Sequence, residues 1–346
     1  MAMEEKEYLE YLKSFTDTKK DSLRYIPKFR GVKDFDFVDE HSDANKVVGH
    51  SSKWFVRVNK MYFKEMIRDV QTNDSSSYET CYRKDEIQEN NVPEYISVLI
   101  KEPDRELELD ADVFGSRVLN HYGIPVVFNR RIDKAIPRYP ASKYLVSVDF
   151  LRPNEEFVPL NEIVEFGKEI DIKRYEACGL KKTISNILPY LEKSLNENGI
   201  SFGGQDIKNF ENYLVSSFLV RVILLGDDDF RNGNVGILIN RKDNTFRPAP
   251  NFDMEKSFIY RRAKEKIKNL SQIYDDYPEL FSDFVETTYY FVCPDKTGES
   301  PCYRLAKKSI KNENDRGIFV DCVCGRASEI FEKCNQIVAE TQSQPN

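Results

Sequence analysis

The stretch that most constrains this 346-residue chain is an apolar run that ends in acid: SSFLVRVILLGDDDFRNGN, residues 216–234. Upstream of it, Ile207, Phe210, Leu214 and Phe218 form a helical stripe. From there the helix becomes apolar nearly all round, the pattern of a helix entering a protein interior. Gly226 ends it, so Asp227, Asp228 and Asp229 are delivered beside the core.

The residues downstream give those acids a use. Asp229 and Asn234 share one loop in a D-x-x-x-x-N arrangement. A short apolar hairpin comes next: VGILI, a turn at Arg241 to Asn244, then FRPAP. Asp253 lies just after it, behind Phe252. A hairpin folding back on itself returns Asp253 to the side of Asn234, so two carboxylates and an amide oxygen converge. Magnesium takes such hard oxygen donors, needs only one or two carboxylates, and fills its octahedron with water and phosphate oxygens. Phosphoryl transfer then asks for positioning, charge neutralisation and one carboxylate to orient the attacking hydroxyl. Asn234 and Asp253 are therefore the candidate metal ligands and Asp229 the candidate catalytic carboxylate. Asp227 and Asp228 read as turn or cap residues.

The rest of the chain divides into a strand-rich first half and a helical second half. KWFVRVNKMYFKEM (53–66) reads as a hairpin broken at Asn59-Lys60, with Trp54, Val56 and Val58 on one face. PEYISVLIKE (93–102), IPVVFNRRI and KYLVSVDFL read as strands, and DADVFGSRVLNHYG (110–123) as a helix closed by a glycine. Residues 68–91 are polar and serine-rich and read as a loop. Beyond Pro153, EFVPLNEIVEFGKEI, KTISNILPYLEKSLNENG, PELFSDFVETTYYF and RASEIFEKCNQIVAE all read as helices. The expectation is an α+β chain of two lobes with a cleft between them: residues 1–45 an N-terminal extension, 46–150 a sheet with one principal helix, and 151–346 a helical lobe.

Composition narrows the partners. Net charge is −7, which argues against duplex nucleic acid as a partner. No apolar run reaches the roughly 18 residues of a membrane span, and the acidic start MAMEEKEYLEYL lacks a secretory apolar region. Seven cysteines, an odd number, fit reduced thiols and a cytoplasmic setting. Cys293, Cys302, Cys322 and Cys324 crowd the C-terminal region, but their C-x8-C and C-x-C spacing is poor for zinc; idle or buried thiols are the expectation.

The motif set D-x-x-x-x-N, hairpin, aromatic-Asp resembles the catalytic and metal loops of the protein-kinase-like fold. In detail GDDDFRNGNVGIL and Phe252-Asp253 resemble the HipA-like kinases, bacterial Ser/Thr kinases that share features with phosphoinositide kinases. Arg231 stands where that family commonly has His. The resemblance implies a bilobal kinase-like fold with a nucleotide-binding N-lobe and a mainly helical C-lobe, ATP and Mg2+ as cofactors, and a protein Ser or Thr as acceptor. It also leaves room for an antitoxin-like partner.

Further roles come from the family order. GHSSK (49–53) resembles a phosphate-covering loop, with Ser51 in place of Gln, so Gly49 and Ser51 are expected to face phosphate. Lys64 is the candidate phosphate-pairing lysine, with Lys60 and Arg57 as competitors. Asp112 is expected to hold that lysine, one methylene shorter than the usual Glu. Ser147, Val148 and Phe150 fall in the hinge expected to bind adenine. The resemblance spans residues 46–257. Two competing readings stay open: a nucleotide-binding pseudokinase acting as an interaction module, favoured by Arg231 and Asp112, and a lipid or small-molecule kinase on the same fold. A metal-dependent hydrolase would leave the order of hairpin and hinge unexplained.

Overall fold

The computed structural model of the protein describes residues 24–26, 35–37, 53–59, 95–102, 105–127, 129–132, 143–148, 150, 155–164, 179–258 and 270–342. Its larger sheet is antiparallel and six-stranded: β1 (Arg24–Ile26), β2 (Phe35–Phe37), β3 (Lys53–Asn59), β4 (Tyr95–Lys101), β5 (Asn129–Ile132) and β6 (Tyr144–Val148), in the spatial order β1-β2-β3-β4-β6-β5. β3 pairs along its whole length with β4, from Lys53 opposite Lys101 to Asn59 opposite Tyr95, and on its other edge with β2. The ladder partners of this strand are thus remote in sequence, and the return strand expected over 61–66 lies outside the described residues. β1 and β2 fall in the stretch expected to be an N-terminal extension. FDF carries the alternation of a short strand, and it lies between β1 and β3, paired antiparallel with each.

Helix α1 (Glu106–His121) packs against β5 and β6. It begins four residues before the expected start, because ELEL continues its helical period, and closes on Gly123, whose φ of 68° is the left-handed conformation of a helix C-terminus. The segment behind it runs beside the chain that leads to Asp253. Val127 N–H donates to Asn251 O at 2.8 Å and Asn251 N–H to Pro125 O at 2.8 Å, a parallel bridge.

A second sheet is three-stranded, in the order β7 (Glu155–Pro159), β8 (Gly236–Asn240), β9 (Thr245–Pro248). β8 and β9 are the expected hairpin, with its turn at 241–244 and Asn244 at φ 51°. EFVP corrects a helical expectation. Its backbone pairs with β8 from Glu155 opposite Asn240 to Pro159 opposite Gly236, and tertiary pairing outweighs the helical period that the next residues, LNEI, continue into the short helix α2 (Leu160–Ile163). Gly236 makes this pairing possible. A Cβ there would lie 2.3 Å from Val158 O and 2.8 Å from Pro159 Cα.

The remaining described elements are helical: α3 (Leu180–Glu197), α4 (Gly204–Ser217), α5 (Leu270–Asp276), α6 (Pro278–Val292), α7 (Pro301–Ser309) and α8 (Glu313–Gln342). The apolar run after α4 does not stay α-helical. Phe218–Leu224 is a π-helix, wholly buried, with Leu219, Ile223 and Leu224 in the main apolar cluster. π turns are rare and concentrate at functional sites. Arg326 of α8, 1% exposed, reaches into this segment and donates from Nε to Ile223 O and from Nη2 to Val222 O, each at 2.8 Å. It supplies partners to carbonyls that would otherwise be buried without them. No described helix is long and apolar enough to cross a membrane.

Candidate active site

Three elements meet at Lys101, the last residue of β4. Its ammonium, 6% exposed, lies 2.8 Å from Asp253 Oδ1 and 3.8 Å from Asp112 Oδ2, and it donates directly to Glu255 Oε2. A buried ammonium without partners would shed its proton. Here burial depresses the pKa of Lys101, but the carboxylates of Asp112, Asp253 and Glu255 outweigh it and hold the group protonated well above its ordinary range. Asp112 is almost fully buried on α1. Burial pushes its carboxyl up to about 7, Lys101 opposes that, and the negative charge of Asp253 adds to it.

Asp253 holds an unusual backbone conformation for a non-glycine residue, with φ 59°. Asp and Asn visit this region more readily than other L residues, at a cost of about 1–2 kcal/mol. The peptide that follows it is tied down at both its N–H and its C=O. Met254 N–H donates to Asp112 Oδ1 at 2.7 Å, and Asp253 O accepts from Arg221 Nη2 at 3.2 Å. A little further on, Lys256 reaches Glu108 of α1 at 3.1 Å. The segment 253–256 is therefore fastened to α1 at Asp112 and Glu108 and to β4 at Lys101.

Arg221 joins this segment to the acidic loop. It is the one charged residue in FLVRVIL and is fully buried in the π-helix. Its Nε donates to Asp227 Oδ2 at 2.7 Å, and its Nη1 to Asn251 Oδ1 at 3.2 Å. Burial raises the pKa of Asp227, and the guanidinium of Arg221 beside it opposes that. Asp227 Oδ1 in turn accepts from Asp229 N–H at 2.9 Å. Asp227 is thus a turn residue with a buried counter-ion, and it sets the loop that carries Asp229.

Asp229 and Asn234 meet as their spacing predicts. Asn234 Nδ2 donates to Asp229 O at 3.0 Å and to Oδ2 at 3.3 Å. This turns the amide nitrogen of Asn234 to Asp229 and leaves its amide oxygen as the group able to accept. Arg231, about half exposed, places its Nε 3.1 Å from Asp229 Oδ1. The loop is seated on the second sheet, with Leu160 N–H donating to Val235 O at 2.8 Å. Arg221 is the link between the pair Asp229–Asn234 and Asp253.

Phe150, Phe157 and Phe252 pack together as a partly buried aromatic set. Phe150 and Phe252 stack with centroids 5.5 Å apart, and Phe157 meets both rings edge-on. Ser147 on β6 is held by a side-chain relay: it donates to Asn129 Oδ1 at 2.5 Å, Asn129 donates to Ser116 Oγ at 2.8 Å, and Ser116 to Asp112 O at 2.7 Å. Val148 is described only as backbone of β6.

Gly49, Ser51, Lys60 and Lys64 lie outside the described residues, as does the side chain of Arg57. Sequence reasoning passed over Lys101, Glu255, Arg221 and Phe157. Lys101 had a faint signal, a lone cation ending the apolar strand YISVLIK, and Arg221 a stronger one, a lone cation inside an apolar helix. Among the described residues, the cluster of acidic, His or Cys side chains with metal-ligand spacing is Asp112, Asp253 and Glu255, their oxygens within 4.8 Å of one another. Cys293, Cys302, Cys322 and Cys324 are free thiols, Cys302 and Cys322 buried.

No protein-family model matches the chain, and no curated protein matches it. Solved structures similar to it include the following two. One is the proinflammatory kinase CtkA of Helicobacter pylori, 13% identical, covering 71% of this chain and 92% of the other at a TM-score of 0.46. The second is a chain from the complex of HipA, HipB and operator DNA of the Shewanella oneidensis MR-1 toxin–antitoxin system, 10% identical, covering 96% of this chain and 84% of the other at a TM-score of 0.44. Likenesses this distant assign no activity. The chemistry of the site rests on Lys101 and the carboxylates around it.

Proposed function

We propose that the protein is an ATP- and magnesium-dependent phosphotransferase of HipA-like type, with a bilobal kinase-like arrangement and Ser or Thr of a protein as acceptor. The observation that carries the reading is the buried ion cluster of Lys101, Asp112 and Asp253. A strand lysine, a helix carboxylate and a loop aspartate held together in this way are the parts that phosphoryl transfer requires for binding phosphate and metal.

Lys101 is the group that pairs with phosphate oxygens, and Asp112 keeps it in place. Asp229 orients the acceptor hydroxyl and takes its proton. Phe150, Phe157 and Phe252 offer flat apolar surface to a purine beside the hinge at Ser147 and Val148. Residues 49–53, with Gly49 and Ser51, are assigned to cover the phosphates, and a Ser of that loop is a candidate for self-phosphorylation. Lys64 becomes the secondary candidate for phosphate pairing. The chemistry of the donor set suits a magnesium ion: Asp253 and Asn234 offer hard oxygens, and a second buried carboxylate, that of Asp112, lies within 4.8 Å of Asp253. Asn234 and Asp253 would hold the ion, which when bound neutralises charge on the phosphates. An antitoxin-like partner belongs to the same reading.

A second reading, a nucleotide-binding pseudokinase, is favoured by one contact. Arg231 engages Asp229 at 3.1 Å, so the carboxylate proposed to orient the acceptor is already paired. The two readings separate on turnover. Incubation with γ-labelled ATP and magnesium is expected to label a protein acceptor or the chain itself, and Asp253→Ala to abolish labelling. Equal labelling of wild type and variant would remove the metal assignment. Thermal stabilisation by nucleotide without any labelling would select the pseudokinase.

A further inference from the structure

We propose that Glu255 makes this site selective for nucleotide that arrives with its divalent cation, by competing with bare phosphate for Lys101. The proposal deepens the phosphotransfer reading and rests on it.

Lys101 is a single ammonium facing three carboxyl groups, and Asp253 and Glu255 alone already exceed its charge. Asp253 Oδ1 and Glu255 Oε2 are in direct contact with it, and Asp112 Oδ2 lies 3.8 Å away. The surplus charge is negative and poorly screened, because Glu255 is only 16% exposed and Asp112 2%. Lys256 does not cancel it. Its ammonium is 4.0 Å from Glu255 but pairs more closely with Glu108, at 3.1 Å. A polyphosphate approaching Lys101 must therefore displace a carboxylate from the ammonium and leave that carboxylate facing another anion. A divalent cation carried in with the phosphates would remove the conflict, because it would supply positive charge where Lys101 had been.

Glu255 is the carboxylate free to act in this way. Asp112 also accepts the Met254 N–H at 2.7 Å, and Asp253 sits at the strained turn that Arg221 anchors. The described polar partners of Glu255 are Lys101 and Lys256. Its charge can be removed without unfastening the segment from α1.

Calorimetric titration of wild type and Glu255→Gln with ATP, in EDTA and in excess magnesium, tests this. Wild type is expected to bind cation-free ATP at least about tenfold more weakly than magnesium ATP, since charges in contact at partly buried sites interact strongly. The Gln variant is expected to bind cation-free ATP at least about tenfold more tightly than wild type, a change of one decade in Kd. Adding Lys101→Met is expected to cancel that gain, because the contested ammonium is gone. If the melting curve of the Gln variant departs from wild type, Glu255→Ala is expected to give the same change. Unchanged affinity for cation-free ATP in the Gln variant overturns the proposal while leaving the phosphotransfer reading intact. Weakened binding of magnesium ATP alone also overturns it, because Glu255 would then serve the cation rather than compete for Lys101. If wild type binds no nucleotide under either condition, the phosphotransfer reading fails and takes this proposal with it.

Discussion

Lys101 Nζ sits 2.8 Å from Asp253 Oδ1 and joins the end of β4 to the loop after β9 across 152 positions of sequence. The contact fixes where the two sheets of the protein share a polar centre. It also identifies the lysine around which the proposed chemistry is built.

If Lys101 pairs with phosphate, its loss removes binding and turnover together. Lys101→Met is expected to lower labelling from γ-labelled ATP at least about 10²-fold, comparable to the loss of a preorganised charged donor at a transition state. Single-turnover labelling at saturating magnesium measures it. Lys64→Met, tested alongside, is expected to lower it far less.

The buried pair of Arg221 and Asp227 predicts a stability effect separate from catalysis. Arg221→Ala leaves Asp227 without its counter-ion inside the core, which is expected to cost about 3–5 kcal/mol. Urea unfolding reads this directly. The double variant Arg221→Met with Asp227→Leu is expected to cost less than Arg221→Ala alone, because no buried charge is then left behind.

Asp112 supplies a pH signature. Burial pushes its carboxyl up to about 7, above the ordinary value, about 3.9, of an aspartate in the unfolded chain. Between those values the folded protein keeps a proton that the unfolded chain has lost. The stabilisation is fully present below about pH 4 and is lost as pH rises through about 7. Its slope is at most about 1.4 kcal/mol per pH unit, one proton's worth. Unfolding free energies from pH 4 to 7, compared with Asp112→Asn, are expected to show a less negative slope in the variant.

Gly236→Ala is expected to loosen the site from a distance. The new Cβ would meet backbone at Val158 and Pro159, so β7 must shift away from β8, at a cost of about 1–3 kcal/mol. The loop carrying Asn234 hangs from that pairing through Val235 and Leu160. Labelling activity is expected to fall more than nucleotide affinity, which thermal shift and labelling assays separate.

The loop chemistry was legible in the sequence because it is local. D-x-x-x-x-N fixes Asp229 beside Asn234, and VGILI with FRPAP after it announces the hairpin that leads to Asp253. Lys101 was not legible, since a lysine ending a strand is usually solvated and only the arrival of Asp112, Asp253 and Glu255 from distant segments buries it. β7 was misread for a related reason. EFVPLNEI satisfies a helical period, and its strand state exists only because β8 offers a ladder. The π turn had no periodic signature, yet Arg221 inside FLVRVIL marked it as a place where the core needed a charge.

The central claim is that Lys101 and Asp253 form one phosphate- and cation-handling centre. A crystal structure with magnesium and a non-hydrolysable ATP analogue tests it most directly. The account predicts Lys101 Nζ within hydrogen-bond distance of a phosphate oxygen and a carboxylate oxygen of Asp253 on the ion. Nucleotide bound elsewhere, with Lys101 still closed on Asp253 and Glu255, contradicts it.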